Sequence, residues 1–228
     1  MSSSLKPVFL FLSFFVIFSL CSCNLSEKKQ SFSPTTQLFD GSDFSKWQHE
    51  DGKPVKWKIV GDAMQVVPAS GSIVTKESYE DFKLHVEFKI PELPKDLKGQ
   101  NRGNSGIYIQ KRYEVQILDS YGKKVEKHQC GAIYDTFPPN VNSSKKPGKW
   151  QSYDITFYEP DFDKKGNKIN NARITVVHNG AVIHDNVEIP NKTGAGRPEG
   201  PKPGPIKLQD HGSEVMFRNI WITSFNKL

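Results

Sequence analysis

The chain has 228 residues, 36% of them hydrophobic and 25% charged, with a formal net charge of +6. That length suits one β domain after an N-terminal leader and is marginal for two. The charge excess is mild, carried by scattered pairs such as Lys123-Lys124 and Lys145-Lys146 with no aromatic-rich recognition motif between them, which excludes nucleic acid as an expected partner.

Residues 1–22 carry one charge, Lys6, and an apolar run from Val8 to Leu20 that is shorter than the ~20 residues of a membrane-spanning helix. This segment reads as a signal peptide. Leu20-Cys21-Ser22-Cys23 then resembles a lipobox, in which cleavage before the lipidated cysteine needs a small residue, here Ser22. Cys23 is the expected lipidation site, residues 23–37 a polar tether, and residues 38–228 a single folded domain. Acyl chains at Cys23 would place the domain in a bacterial cell envelope, periplasmic or at the outer-membrane surface, with the anchor as its membrane contact. With Cys21 removed and Cys23 acylated, Cys130 is left without a disulfide partner.

The folded part shows two-residue apolar alternation and no sustained helical period, so few helices and many half-buried strands are expected. Val55 to Ile59, a Gly61-Asp62 turn and Met64 to Val66 read as a hairpin. Phe82 to Ile90 alternates apolar and charged residues. Asn104 to Gln110 and Tyr113 to Asp119 follow, with Ile107, Ile109, Val115 and Ile117 facing inward and Tyr108, Gln110, Glu114 and Gln116 on the opposite face. Ser120 to Lys149 is a long loop. Tyr153, Ile155 and Phe157 share a face, and Ile174 to Val177 returns through Asn179-Gly180, a strong hairpin signal. A second long loop spans Gly194 to Pro205. Ile206 to His211 puts Gln209 and His211 outward. Val215 and Phe217 point inward and Arg218 outward, and a phase shift to Ile220 and Ile222 predicts a bulge or bend near Asn219. The fold class is therefore all-β, a two-sheet sandwich.

If the last strands adjoin the Asn104–Asp119 pair, one sheet face gathers Tyr108, Glu114, Gln116, Gln209, His211 and Arg218. Such an acid, base, cation and amide mixture suits a sugar, whose apolar ring face would pack on Tyr108, Tyr134 or Trp150. The same residues would equally make an ordinary solvent-facing sheet surface.

Leu38-Phe39-Asp40-Gly41 with Trp47, Tyr79-Glu80-Asp81-Phe82, Gly103 to Tyr108, Tyr113 to Asp119, Gly131 to Tyr134, Leu208 to Gly212 and Phe217 to Ile220 resemble the successive signatures of the 3-keto-disaccharide hydrolase family. Lys149 and Gln151 depart from the family's usual Glu-Trp-Asn stretch. The resemblance implies a concanavalin-like jelly roll acting on 3-keto-glucosides or other oxidised carbohydrates, by elimination and hydration or by net hydrolysis. His211, Glu114 and Arg218 are then the expected catalytic residues. Asn104, Tyr108, Gln116, Tyr134, Trp150 and Gln209 are the expected substrate contacts.

Oxidation at C3 of a glucoside acidifies the C2 proton, so elimination needs a base near C2, a cation or donor near O3 and an acid at the leaving oxygen. His211 is the first choice of base because its unperturbed pKa lies near neutrality. Arg218 would stabilise the enolate, and Glu114 would orient His211 or act as acid, the two being able to exchange roles. Glu114 has no second carboxylate of matching parity, which disfavours the two-carboxylate route of ordinary glycosidases. Neither a metal nor a cofactor is called for: Asp161 to Gly166 lacks the ligands of a calcium loop, and no His-Glu-x-x-His or paired-cysteine motif occurs. The alternatives are a non-catalytic, lectin-like carbohydrate-binding module and a surface domain that binds protein.

Overall fold

The computed structural model describes Met1 and residues 31–225, so the expected signal peptide and Cys23 lie outside the described residues. In chain order the strands are β1 (Thr36–Phe39), β2 (Trp47–His49), β3 (Lys58–Val60), β4 (Ala63–Gln65) and β5 (Ile73–Thr75). The central stretch adds β6 (Phe82–Lys89), β7 (Ser105–Ile109), β8 (Tyr113–Ile117) and β9 (Trp150–Tyr158). A short ladder of β10 (Asp161–Phe162) and β11 (Lys168–Asn170) precedes β12 (Ala172–His178), β13 (Ala181–Ile189), β14 (Lys207–Leu208) and β15 (Met216–Ser224). Among the described residues, the one helical element is a single 3-10 turn at Gly99–Asn101.

Two antiparallel sheets make the expected sandwich. The larger runs β13-β12-β9-β6-β15-β4-β3, with β1 joined to the far half of β15. The smaller runs β2-β5-β14-β7-β8. Alternation puts Phe82, Leu84, Val86 and Phe88 of β6, Tyr153, Ile155 and Phe157 of β9, and Phe217, Ile220 and Ile222 of β15 into the core. Ile107, Ile109, Val115, Ile117 and Leu208 meet them from the smaller sheet. Each large apolar side chain so buried contributes roughly 1.5–3 kcal/mol.

The expected turns have local causes. Asn179 and Gly180 both take positive φ between β12 and β13, as a two-residue hairpin connection demands. The bulge falls at Asn219, with φ of 45° and a register shift between Arg218 and Trp221. That shift lets β15 pair with β4 in its first half and with β1 in its second. Two expectations change. Only Lys207–Leu208 of the Ile206–His211 segment is strand, and β15 belongs to the larger sheet, so it does not adjoin β7 and β8.

The core also holds two neutral histidines. His178 packs against Phe88 and Tyr153 and hydrogen-bonds Gln151 at 3.0 Å, and burial lowers its pKa to about 4. His184 meets the Gly131 carbonyl at 2.7 Å and is shifted down by the same cause. Because the unfolded chain binds protons that the folded chain refuses, stability is intact above about pH 6.5 and falls as the pH drops towards 4. The His178 shift corresponds to roughly 3 kcal/mol. Denaturant titrations between pH 7.5 and 4.5 should show this slope, and His178→Gln should remove most of it; an unchanged slope in the variant would assign it elsewhere.

Candidate functional site

The outer face of the smaller sheet is built in two rows. Lys207, Tyr108 and Glu114 sit opposite one another across β14, β7 and β8. In the next row Gln209, whose N–H donates to the Gly106 carbonyl at 3.0 Å, Gly106 and Gln116 follow. Gly106 supplies no side chain, and the Glu114 carboxylate occupies the space a methyl group there would need. The result is a cleft of about 130 Å³ with Asn104, Tyr108, Glu114, Gln116 and Gln209 around it and Tyr134, Ala195 and His211 at its edges.

This polar face is covered, although alternation alone would leave it in water. Glu114 is 3% exposed and Tyr108 1%. The 131–134 stretch runs beside β8, with the Tyr134 N–H donating to the Glu114 carbonyl at 3.0 Å and the Gln116 N–H to that of Ala132 at 3.0 Å. Residues 193–205 form a strap over the sheet. Arg112 donates to the carbonyls of Gly200 (2.9 Å) and Lys202 (2.7 Å) and to the Gln110 amide oxygen (2.6 Å). Arg197 reaches back to the Gln110 carbonyl at 3.0 Å, and the Glu114 N–H donates to the Thr193 hydroxyl at 2.8 Å. Gly196 lies against the Arg112 carbonyl, too close for any side chain.

Burial determines the electrostatics. Desolvation raises the Glu114 pKa to about 7, against the smaller downward pulls of its hydrogen bond from Tyr108 and of the Lys207 charge. The Tyr108 hydroxyl also accepts a hydrogen bond from Gln209 at 3.3 Å, and its pKa is pushed far up by burial and by the Glu114 charge. Asn104 and Gln116 each donate one amide hydrogen to Gln100 at 3.0 Å. The Gln209 amide oxygen is buried with no hydrogen-bond partner among the described residues. Glu114 is the one carboxylate among the residues lining the cleft. Among the described residues no three His, Cys, Asp or Glu side chains converge to hold a metal.

Of the expected residues, the structure brings together Asn104, Tyr108, Glu114, Gln116, Tyr134, Gln209 and His211. It separates Arg218 and Trp150 from them. Arg218 projects from the outer face of the larger sheet, donating to Glu87 at 2.7 Å and Asp62 at 3.0 Å, with its guanidinium 4.1 Å above the Trp150 ring. The reason is the sheet membership of β9 and β15, which adjoin β6 and not β7. Gln151 is buried against His178, a packing role rather than a sugar contact. Lys207 is the cation that the sequence reading missed. Its ammonium lies 4.9 Å over the Tyr108 ring and pairs with Glu50 at 3.1 Å. The parity that selects Gln209 and His211 also selects Lys207, so the signal was present in the alternation.

Known proteins resemble this chain over most of its length. A curated 3-keto-disaccharide hydrolase of Bacteroides thetaiotaomicron is 25% identical over 223 residues, covering 80% of this chain and 76% of that protein. A solved structure from Parabacteroides distasonis, described as a candidate glycosyl hydrolase, is 38% identical with a TM-score of 0.75 and 83% of each chain covered. Another protein of that organism with the same description is 26% identical with a TM-score of 0.58, over 83% of this chain and 98% of that one. The family model of the 3-keto-alpha-glucoside-1,2-lyase-like domain matches residues 34–223, and the chain belongs to that family.

Proposed function

We propose that this protein cleaves 3-keto-glucosides by elimination followed by hydration, with Glu114 as the base. The observation that carries the reading is a carboxyl, 3% exposed, set among amides and a tyrosine in a covered cleft, where desolvation pushes its pKa up to about 7. An ordinary surface carboxylate would be too weak a base for a carbon acid, whereas one near neutrality is matched to proton transfer at physiological pH. The Glu114 carboxylate takes the C2 proton, and the electron pair moves into the ring to give an enolate at O3. The C1–O bond then breaks, the leaving oxygen takes a proton from His211 at the cleft edge, and an enone remains. Water adds across C1 and C2, delivering hydroxyl to C1 and hydrogen to C2, so the net change is hydrolysis. The free amide hydrogens of Asn104 and Gln116 take the stabilising role expected of Arg218, and the Lys207 charge supports them from beside the cleft. The unpaired Gln209 oxygen offers an acceptor to a sugar hydroxyl.

The division of roles reverses the first choice made from sequence, because Glu114 is buried within the cleft and His211 is exposed at its edge. A single carboxylate in the cleft also supports elimination over double displacement or inversion. Delivery by a lipid anchor at Cys23 would expose the cleft to envelope glycosides.

With a 3-keto-glucoside as substrate, kcat/KM should rise with pH to a break near 7. Glu114→Gln should lower kcat about 10²–10⁴-fold, and an acid limb breaking near 4.5 would contradict the desolvated base. His211→Ala should slow aglycone release while sparing exchange of the C2 proton with solvent; equal loss of both would return His211 to the role of base. Binding without enone formation or aglycone release would favour the lectin-like module. Gly106→Ala should displace the Glu114 carboxylate and cost at least about tenfold in kcat with a native circular dichroism spectrum; full activity would show that the carboxylate position is immaterial. Cys23→Ala should move the protein from the membrane to the soluble fraction, and unchanged membrane association would remove the anchor from the account.

A further inference from the structure

Three depressions adjoin one another along the 91–104 segment. His211 belongs to the wall of the Glu114 cleft and also to a groove of about 420 Å³ beside Pro91, Asn101 and Glu214. Glu92, Leu93 and Leu97 in turn line both that groove and a third depression of about 630 Å³. The third depression carries Lys98, Arg102, Lys123 and Lys146 against two carboxylates, Glu92 and Asp119.

Arg102 is already neutralised, since Asp119 accepts from its Nε at 3.0 Å. Lys98, Lys123 and Lys146 are exposed and make no ion pair among the described residues. Three ammonium groups around one concavity, with Glu92 as the remaining acid, create a local positive potential that a bound anion would relieve. The same depression presents Tyr121, 50% exposed, with the Lys146 ammonium 5.5 Å from its ring centre. An exposed aromatic beside two leucines offers a surface for the C–H face of a pyranose, which distinguishes this site from a bare patch of lysines.

We propose that this depression binds an anionic sugar unit of a longer glycan whose reacting end occupies the Glu114 cleft. The link to the cleft rests on the function proposed above; the anion site rests on its own residues. A glycan extending past His211 would run along the wall formed by Leu93 and Leu97 and present its acidic group to the three lysines.

The test is calorimetric binding of a trisaccharide of one glucose and two glucuronic acids, compared with its neutral methyl diester. At low ionic strength the acid should bind about tenfold tighter, from three exposed charge contacts, and the advantage should shrink at about 0.5 M salt. Lys98→Ala/Lys123→Ala/Lys146→Ala should abolish the advantage while leaving turnover of a neutral 3-keto-glucoside unchanged. Equal affinity for acid and ester, no binding of either, or an undiminished preference in the triple variant would overturn the anion site. Failure of the wild-type protein to turn over any 3-keto-glucoside, with the acid preference intact, would sink the proposed reaction and leave the anion site standing.

Discussion

Arg112 is 3% exposed, yet its guanidinium is held by carbonyls of Gly200 and Lys202 and by the Gln110 amide. A cation taken from water at that depth needs such partners, and the partners it recruits belong to a segment nearly ninety residues away in sequence. By tying the 193–205 strap to the end of β7, it turns the outer face of the smaller sheet from a wet surface into a covered one. Everything chemical about the site follows from that cover. Without it Glu114 would be an ordinary exposed carboxylate on an antiparallel sheet.

The two sheets divide the work by what their outer faces retain. On the larger sheet the outward polar residues partner one another: Arg218 pairs with Glu87 and Asp62, and His85 hydrogen-bonds Asp154 at 2.6 Å. On the smaller sheet the polar residues are buried but incompletely satisfied, as with the Gln209 oxygen. A buried acceptor without a partner is costly to a fold and useful to a ligand site. The contrast explains why a mixed acid, cation and aromatic set on one face, Arg218 with Glu87 and Trp150, is structural, while a similar set on the other forms a cleft.

Gly106 and Gly196 show how backbone without side chain shapes the site. At Gly106 the missing methyl makes room for the Glu114 carboxylate in the cleft; at Gly196 it lets the strap lie directly on the Arg112 carbonyl. Both sit in stretches whose glycines are visible in the sequence, but which atoms they accommodate depends on residues brought in from other strands. The hairpin at Asn179-Gly180 is the opposite case, in which the need for positive φ is local and legible at once.

The sequence by itself determined which residues share a face. Side chains on a strand alternate with a period of two, so the inward set Ile107, Ile109, Val115 and Ile117 and the outward set Tyr108, Glu114 and Gln116 were readable from their spacing, as was the bulge at Asn219. Alternation carries no information about which strand lies beside which, and only the tertiary structure decided that β14 joins β7 while β15 joins β6. That pairing admitted His211 to the cleft, set Lys207 beside Tyr108 in the neighbouring row, and left Arg218 and Trp150 on the other sheet. Nor does period two distinguish a polar face in water from one beneath a strap, because burial comes from distant chain. The Glu114 pKa of about 7 is therefore a property of the fold, written in Arg112, Thr193 and Gly196 as much as in Glu114 itself.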